Sequence, residues 1–63
     1  MGDKIKKRRK KLGMSMADLA EKTGLSTTYI SNLENNNRNN PSKEAMDKIA
    51  YALKSTVPQL FYE

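Results

Sequence analysis

The 63-residue chain has no cysteine, no histidine and no tryptophan. Without Cys there is no disulfide framework, no thiolate nucleophile and no Cys-rich zinc site. Without His there is no imidazole ligand and no general base that titrates near neutrality. Ser, Thr and Lys are present, but no base accompanies any hydroxyl and the acids are scattered, so no enzymatic activity, cofactor or metal is expected. No apolar run approaches the ~20 residues of a membrane span, and the basic N-terminal segment is followed by no apolar stretch of the signal-peptide kind. The expectation is a cytoplasmic chain with no membrane partner. There is also too little sequence for a second hydrophobic core, because domains of about 60 residues bury only roughly 60% of the surface their unfolded chains expose. A single domain over residues 1–63 is expected.

Charge is plentiful, and it is unevenly placed. The chain carries twelve Lys plus Arg against seven Asp plus Glu, a formal charge of +5. Met1 to Met14 holds Lys4, Lys6, Lys7, Arg8, Arg9, Lys10 and Lys11 against Asp3, a net of +6, while the remainder is at −1. An excess of this size points to an anionic partner. The basic run is either a solvated helix face or a phosphate-attracting one.

Punctuation divides the chain into five helical pieces. Asp3 can cap the first and Gly13 stops it, with Ile5, Arg8, Arg9 and Leu12 on one stripe. Ser15 with Asp18 forms a capping box for the second, whose inner face is Leu19 and Ala20 and whose left-handed stop is Gly24. Ser26 then caps a third helix after so tight a connection that the two must cross steeply. Ile30 and Leu33 point inward on it, leaving Thr27, Thr28, Ser31, Asn32 and Asn35 as a polar outer face. The run "NNNRNN" from Asn35 to Asn40 predicts a loop. Ser42 opens a fourth helix with Met46, Ile49, Ala50 and Leu53 inside. Thr56 and Gln59 make a T-x-x-Q box before a short apolar fifth helix. No alternating segment is long enough for a strand, so the fold class is all-α.

The register of "IKKRRKKLGMS", "ADLAEKTGLSTTYISNLEN" and "PSKEAMDKIAYAL" resembles the phage-repressor (Cro/cI, or XRE) family of helix-turn-helix DNA-binding proteins, over essentially Lys4 to Phe61. The resemblance implies a compact five-helix domain with the helix-turn-helix at about residues 15–35. It implies a sequence-specific transcriptional regulator, a repressor, whose third helix enters the major groove of double-stranded DNA. Carried over by position, Thr27, Thr28 and Asn32 would meet base edges. Met16, Tyr29, Ser31, Asn35, Asn37 and Arg38 would lie at the sugar-phosphate backbone. The chemistry fits, since Asn can bond adenine in bidentate fashion and Thr offers both a hydroxyl and a methyl.

Two departures stand out. Met16 occupies a position where many relatives have Gln; it cannot repeat that hydrogen bonding, which leaves the helix-start amides, an apolar contact at the groove edge, or simple packing. Asn36 replaces the usual Gly, and Asn is the next-best residue for a left-handed turn. Tyr29 either packs its ring at the rim or aims its hydroxyl at phosphate.

An inward-facing guanidinium needs a carboxylate, and the resemblance selects Arg9 with Glu34 as a structural ion pair. The alternative is that both Arg8 and Arg9 extend outward over their covered stems. Val57, Leu60, Phe61 and Tyr62 are more apolar surface than so small a domain is expected to cover, and in this family the last helix often serves dimerisation, so these four are expected at a homodimer interface. No small-molecule effector is evident. The competing reading is a protein-interaction module on the same scaffold, an anti-repressor or antitoxin, motivated by Met16 and by the lack of any basic residue in the third helix. The chain is either a minimal regulator or the N-terminal domain of a longer one.

Overall fold

Short helices depend on how their unpaired end groups are satisfied, and four of the five here start on a hydroxyl. The computed structural model describes residues 2–35 and 41–62. They form α1 (Gly2–Lys11), α2 (Met16–Thr23), α3 (Thr27–Glu34), α4 (Lys43–Ala52) and α5 (Val57–Phe61), with no strand among the described residues. Ser15, Ser26, Ser42 and Thr56 accept the backbone N–H of Asp18, Tyr29, Ala45 and Gln59 at 3.0, 3.0, 3.1 and 3.3 Å. Caps of this kind contribute about 1 kcal/mol each. At α2 the box closes in both directions, because the Ser15 N–H donates to Asp18 Oδ2 at 3.0 Å.

Two cap expectations are corrected. Asp3 does not precede α1 but stands in its first turn, where its carboxylate still opposes the positive end of the helix dipole. The T-x-x-Q box at α5 is half formed: Gln59 Oε1 accepts from the Ser55 hydroxyl at 2.9 Å instead of returning to the Thr56 amide.

α1 and α4 end on the same closure. After α1, Gly13 takes φ +71, with its N–H on the Lys10 carbonyl and the Met14 N–H on the Arg9 carbonyl, both at 3.0 Å. After α4 the left-handed position is filled by Lys54, φ 53, with the Lys54 and Ser55 amides on the Tyr51 and Ala50 carbonyls at 3.1 and 2.9 Å. Both are Schellman ends, but at Lys54 a Cβ bears the left-handed strain that Gly13 avoids.

Ile5, Leu19, Ile30, Leu33, Ile49 and Leu53 are fully buried, so each of the first four helices or its end contributes to one core. α1 lies against α3 and α5, α2 against α3 and α4, and α4 against α5. The radius of gyration of 10.0 Å is close to the ~11 Å expected for a compact chain of this length.

The burial of α5 corrects the expectation of surplus apolar surface there. Leu60 and Phe61 are only 3% and 8% exposed, and Val57 is half-buried against the same core. α1 and α4 leave a gap that the short fifth helix fills, so Leu60 and Phe61 are not on offer to a partner; Tyr62, 56% exposed, is. Asn36, Asn37 and Arg38 lie outside the described residues.

Candidate nucleic-acid interface

The angle between α2 and α3 is set by three consecutive residues. Thr23, buried in the last turn of α2, donates its hydroxyl to the Leu19 carbonyl at 2.8 Å and accepts the Leu25 N–H at 3.3 Å. Between them Gly24 adopts φ 74, ψ 11, with its N–H on the Ala20 carbonyl at 2.8 Å. Leu25 packs against the core, and Ser26 restarts the chain as the cap of α3. A Cβ at Gly24 would meet no atom within 4 Å; the left-handed backbone, not space, calls for glycine there.

This turn fixes which side of α3 is presented. Ile30, Leu33 and Glu34 are buried, while Thr27, Thr28 and Asn35 are exposed and Ser31 and Asn32 half-buried. Asn35 Nδ2 donates to the Ser31 hydroxyl at 3.3 Å, one turn back along the outer face. Tyr29 is half-buried with its ring packed against the core. Met16, at the start of α2, is 36% exposed. The described residues thus bring Thr27, Thr28, Ser31, Asn32 and Asn35 onto one accessible side of α3. The only charge on α3 is Glu34, and it is turned inward.

Glu34 is held there by α1. Arg9 Nε and Nη2 donate to Glu34 Oε2 and Oε1 at 2.7 and 3.1 Å, and Arg9 Nη1 donates to the Met14 carbonyl at 2.7 Å. The two side chains are 7% and 2% exposed. The hydrogen bond to Glu34 keeps the Arg9 guanidinium charged beyond its ordinary range, against the opposing effect of burial. A planar fork matched to a carboxylate in this way ties α1 to the C-terminal end of α3.

Arg8 has a role that the sequence did not reveal. Its Nε and Nη2 donate to the Leu53 and Lys54 carbonyls at 2.8 and 2.9 Å, clamping α1 onto the end of α4. These are backbone acceptors, so no residue type in the sequence pointed to them. Tyr51 also went unremarked; it is 88% exposed and lines a groove with Lys22 and Lys54.

The fold has close counterparts among known proteins. The helix-turn-helix family model matches residues 5–60. The HTH-type transcriptional regulator SinR of Bacillus licheniformis is 38% identical over all 63 residues, which cover 57% of that protein. The chain therefore spans a little over half the length of the curated relatives it matches. A solved complex of SinR with the SinI protein is similar at TM-score 0.91 and 39% identity, over 98% of this chain and 60% of that one. A crystal structure of SinR, described as the master regulator for biofilm formation, in complex with DNA is similar at TM-score 0.87 and 39% identity, over 94% of both chains. With the family model spanning nearly the whole core, from Ile5 to Leu60, the chain belongs to the XRE-type helix-turn-helix family.

Proposed function

We propose that this chain is a sequence-specific DNA-binding transcriptional regulator, a repressor, that places α3 in the major groove of double-stranded DNA. The observation that carries the proposal is the accessible polar face of α3, held by the Thr23-Gly24-Leu25 turn and the Arg9–Glu34 pair. The similarity to DNA-bound SinR across 94% of both chains supports it. In this reading Thr27, Thr28 and Asn32 meet base edges, and Met16, Tyr29, Ser31 and Asn35 lie along the sugar-phosphate backbone with Asn37 and Arg38. Residues 1–63 act as one domain in the cytoplasm, without catalysis. A homodimer would set two α3 helices roughly 34 Å apart, one helical turn of DNA. Its surface would draw on Tyr62 and the accessible part of Val57, since Leu60 and Phe61 are taken up by the core.

Selection from randomised duplexes followed by anisotropy titration tests this. The expected result is enrichment of one pseudo-palindromic site. Equal binding to every duplex would remove the claim of specificity. Two observations favour a second reading, in which the scaffold serves a protein partner: α3 itself carries no basic residue, and the relative SinR has been solved in a complex with a protein, SinI. That reading expects a protein partner retained in 1 M salt and no affinity for any duplex.

A further inference from the structure

Arg9 is buried against Glu34, and the other basic residues of α1 divide by helical angle. With Ile5 and Arg9 turned inward, Lys6 and Lys10 fall on one flank. Lys4, Lys7, Arg8 and Lys11 fall on the other, at the i, i+3, i+4, i+7 spacing of a single stripe. These four line one shallow groove on the side of α1 that meets α5, completed by Ser55, Gln59 and Leu60. Among the described residues no acidic side chain lines it, and none of α2 or α3 does.

Lys7 and Lys11 are exposed and make no hydrogen bond or ion pair among the described residues. Lys4 donates to the Tyr62 carbonyl at 3.1 Å, and Arg8 is held on the Leu53 and Lys54 carbonyls. The two carbonyls that hold Arg8 orient its guanidinium without cancelling its charge. Leu60, which also lines the groove, is 3% exposed, so no apolar side chain of the lining projects as an anchor. A folded protein partner takes most of its affinity from such anchors. A polymer of regularly spaced anionic oxygens does not need them. Lys7 to Lys11 extends about 6 Å along the helix, the rise of roughly two phosphates on one strand of DNA at about 3.4 Å each.

We propose that this stripe is a second DNA-binding surface, which holds the phosphodiester backbone of a duplex other than the one facing α3, so that one chain bridges two segments of DNA. It rests on the reading of α3 only in the word second; the affinity of the stripe for phosphate is independent of it. Since the stripe and the outer face of α3 share no element, one duplex need not displace the other.

The test uses the whole chain, a bead-bound duplex carrying the selected site, and a fluorescent duplex of random sequence in solution. The wild type should retain the fluorescent duplex on the beads. Lys7→Gln/Lys11→Gln should stay on the beads yet lose the second duplex, and its log affinity for the random duplex should fall less steeply with log salt, by about 1.8. Asn32→Ala should keep the wild-type salt slope and lose only discrimination between sequences. No capture by the wild type, or capture and slope unchanged in the double lysine variant, would overturn the proposal. So would a polyglutamate peptide that binds the stripe while no second duplex is held, which would assign the surface to an acidic protein. If selection yields no preferred site, the α3 reading fails alone, and two random duplexes run the same capture test.

Discussion

Removing Arg9 isolates what the buried ion pair contributes. In Arg9→Met the side-chain volume is roughly kept. Glu34, whose side chain is 2% exposed, loses donors at 2.7 and 3.1 Å, and the Met14 carbonyl loses one at 2.7 Å. Breaking a buried pair from one side typically costs about 3–5 kcal/mol, because the remaining charge is left without solvent or partner. At ~0.05–0.15 kcal/mol per residue, a domain of this length has roughly 3–9 kcal/mol in total. The variant is therefore expected near or past the edge of folding, with its thermal midpoint lowered by more than ~12 °C at about 4–8 °C per kcal/mol. Adding Glu34→Leu should restore most of the loss, since two well-packed apolar groups need neither charge satisfied. A residue of about 1 kcal/mol should persist from the Met14 carbonyl. Thermal and urea unfolding of the four proteins in the cycle measures this. A drop of less than ~4 °C for Arg9→Met, or a paired variant no better than the single one, would refute the assignment of Glu34's burial to Arg9.

Four further outcomes follow from other contacts. Asn32→Ala should cost ~1–3 kcal/mol at one base position of the selected site and little on random DNA, by anisotropy. Lys54→Gly should raise the unfolding free energy by about 0.5–1 kcal/mol, because the left-handed φ of 53 no longer strains a Cβ; a loss of stability would place the strain elsewhere. The Ser15 amide, donating to Asp18, holds its carboxyl below the usual carboxylate range, helped by the Ser15 hydroxyl contact and by Lys22. A lowered folded-state pKa adds stability above the ordinary value near ~4 that is lost as pH falls through the folded-state value. The midpoint difference between wild type and Asp18→Asn should accordingly shrink in acid, and a difference constant from pH 7 to 2 would contradict it. Finally, Phe61→Ala should cost ~3–5 kcal/mol at any protein concentration, whereas Tyr62→Ala should leave the midpoint nearly unchanged and, under the proposed homodimer, lower self-association measured by sedimentation.

Local signals were legible in the sequence and tertiary ones were not. Ser15, Gly24, Ser26 and Ser42 mark ends whose hydrogen bonds close within three or four residues, so each could be read without knowing the fold. The stripe Ile5, Arg8, Arg9, Leu12 holds two arginines that helical periodicity cannot distinguish. Which one meets Glu34 depends on where α3 and the end of α4 lie against α1, and family resemblance supplied Arg9 where periodicity did not. α5 failed in the same way: whether Leu60 and Phe61 are surplus or filler depends on the gap between α1 and α4. Gln59 had a competing local hydroxyl at Ser55, and the T-x-x-Q pattern contains no information about it. Lys54 gave no signal because the residue type that advertises a left-handed end is glycine.

The division of charge between α1 and α3 bears on how affinity and discrimination would be controlled. Phosphate contacts by cations release counterions and weaken steeply with salt, whereas hydrogen bonds from neutral side chains to base edges do not. In this chain the outer face of α3 offers Thr, Ser and Asn and its one acid is locked inside by Arg9, while the cations of α1 stand on flanks built from a different helix. Under the two proposals together, the salt sensitivity of the second duplex is assigned to α1 and sequence preference to α3. Substitutions in one should move one quantity with little effect on the other. The Arg9–Glu34 pair is the exception, since it joins the two helices, and its loss should lower both together through the fold.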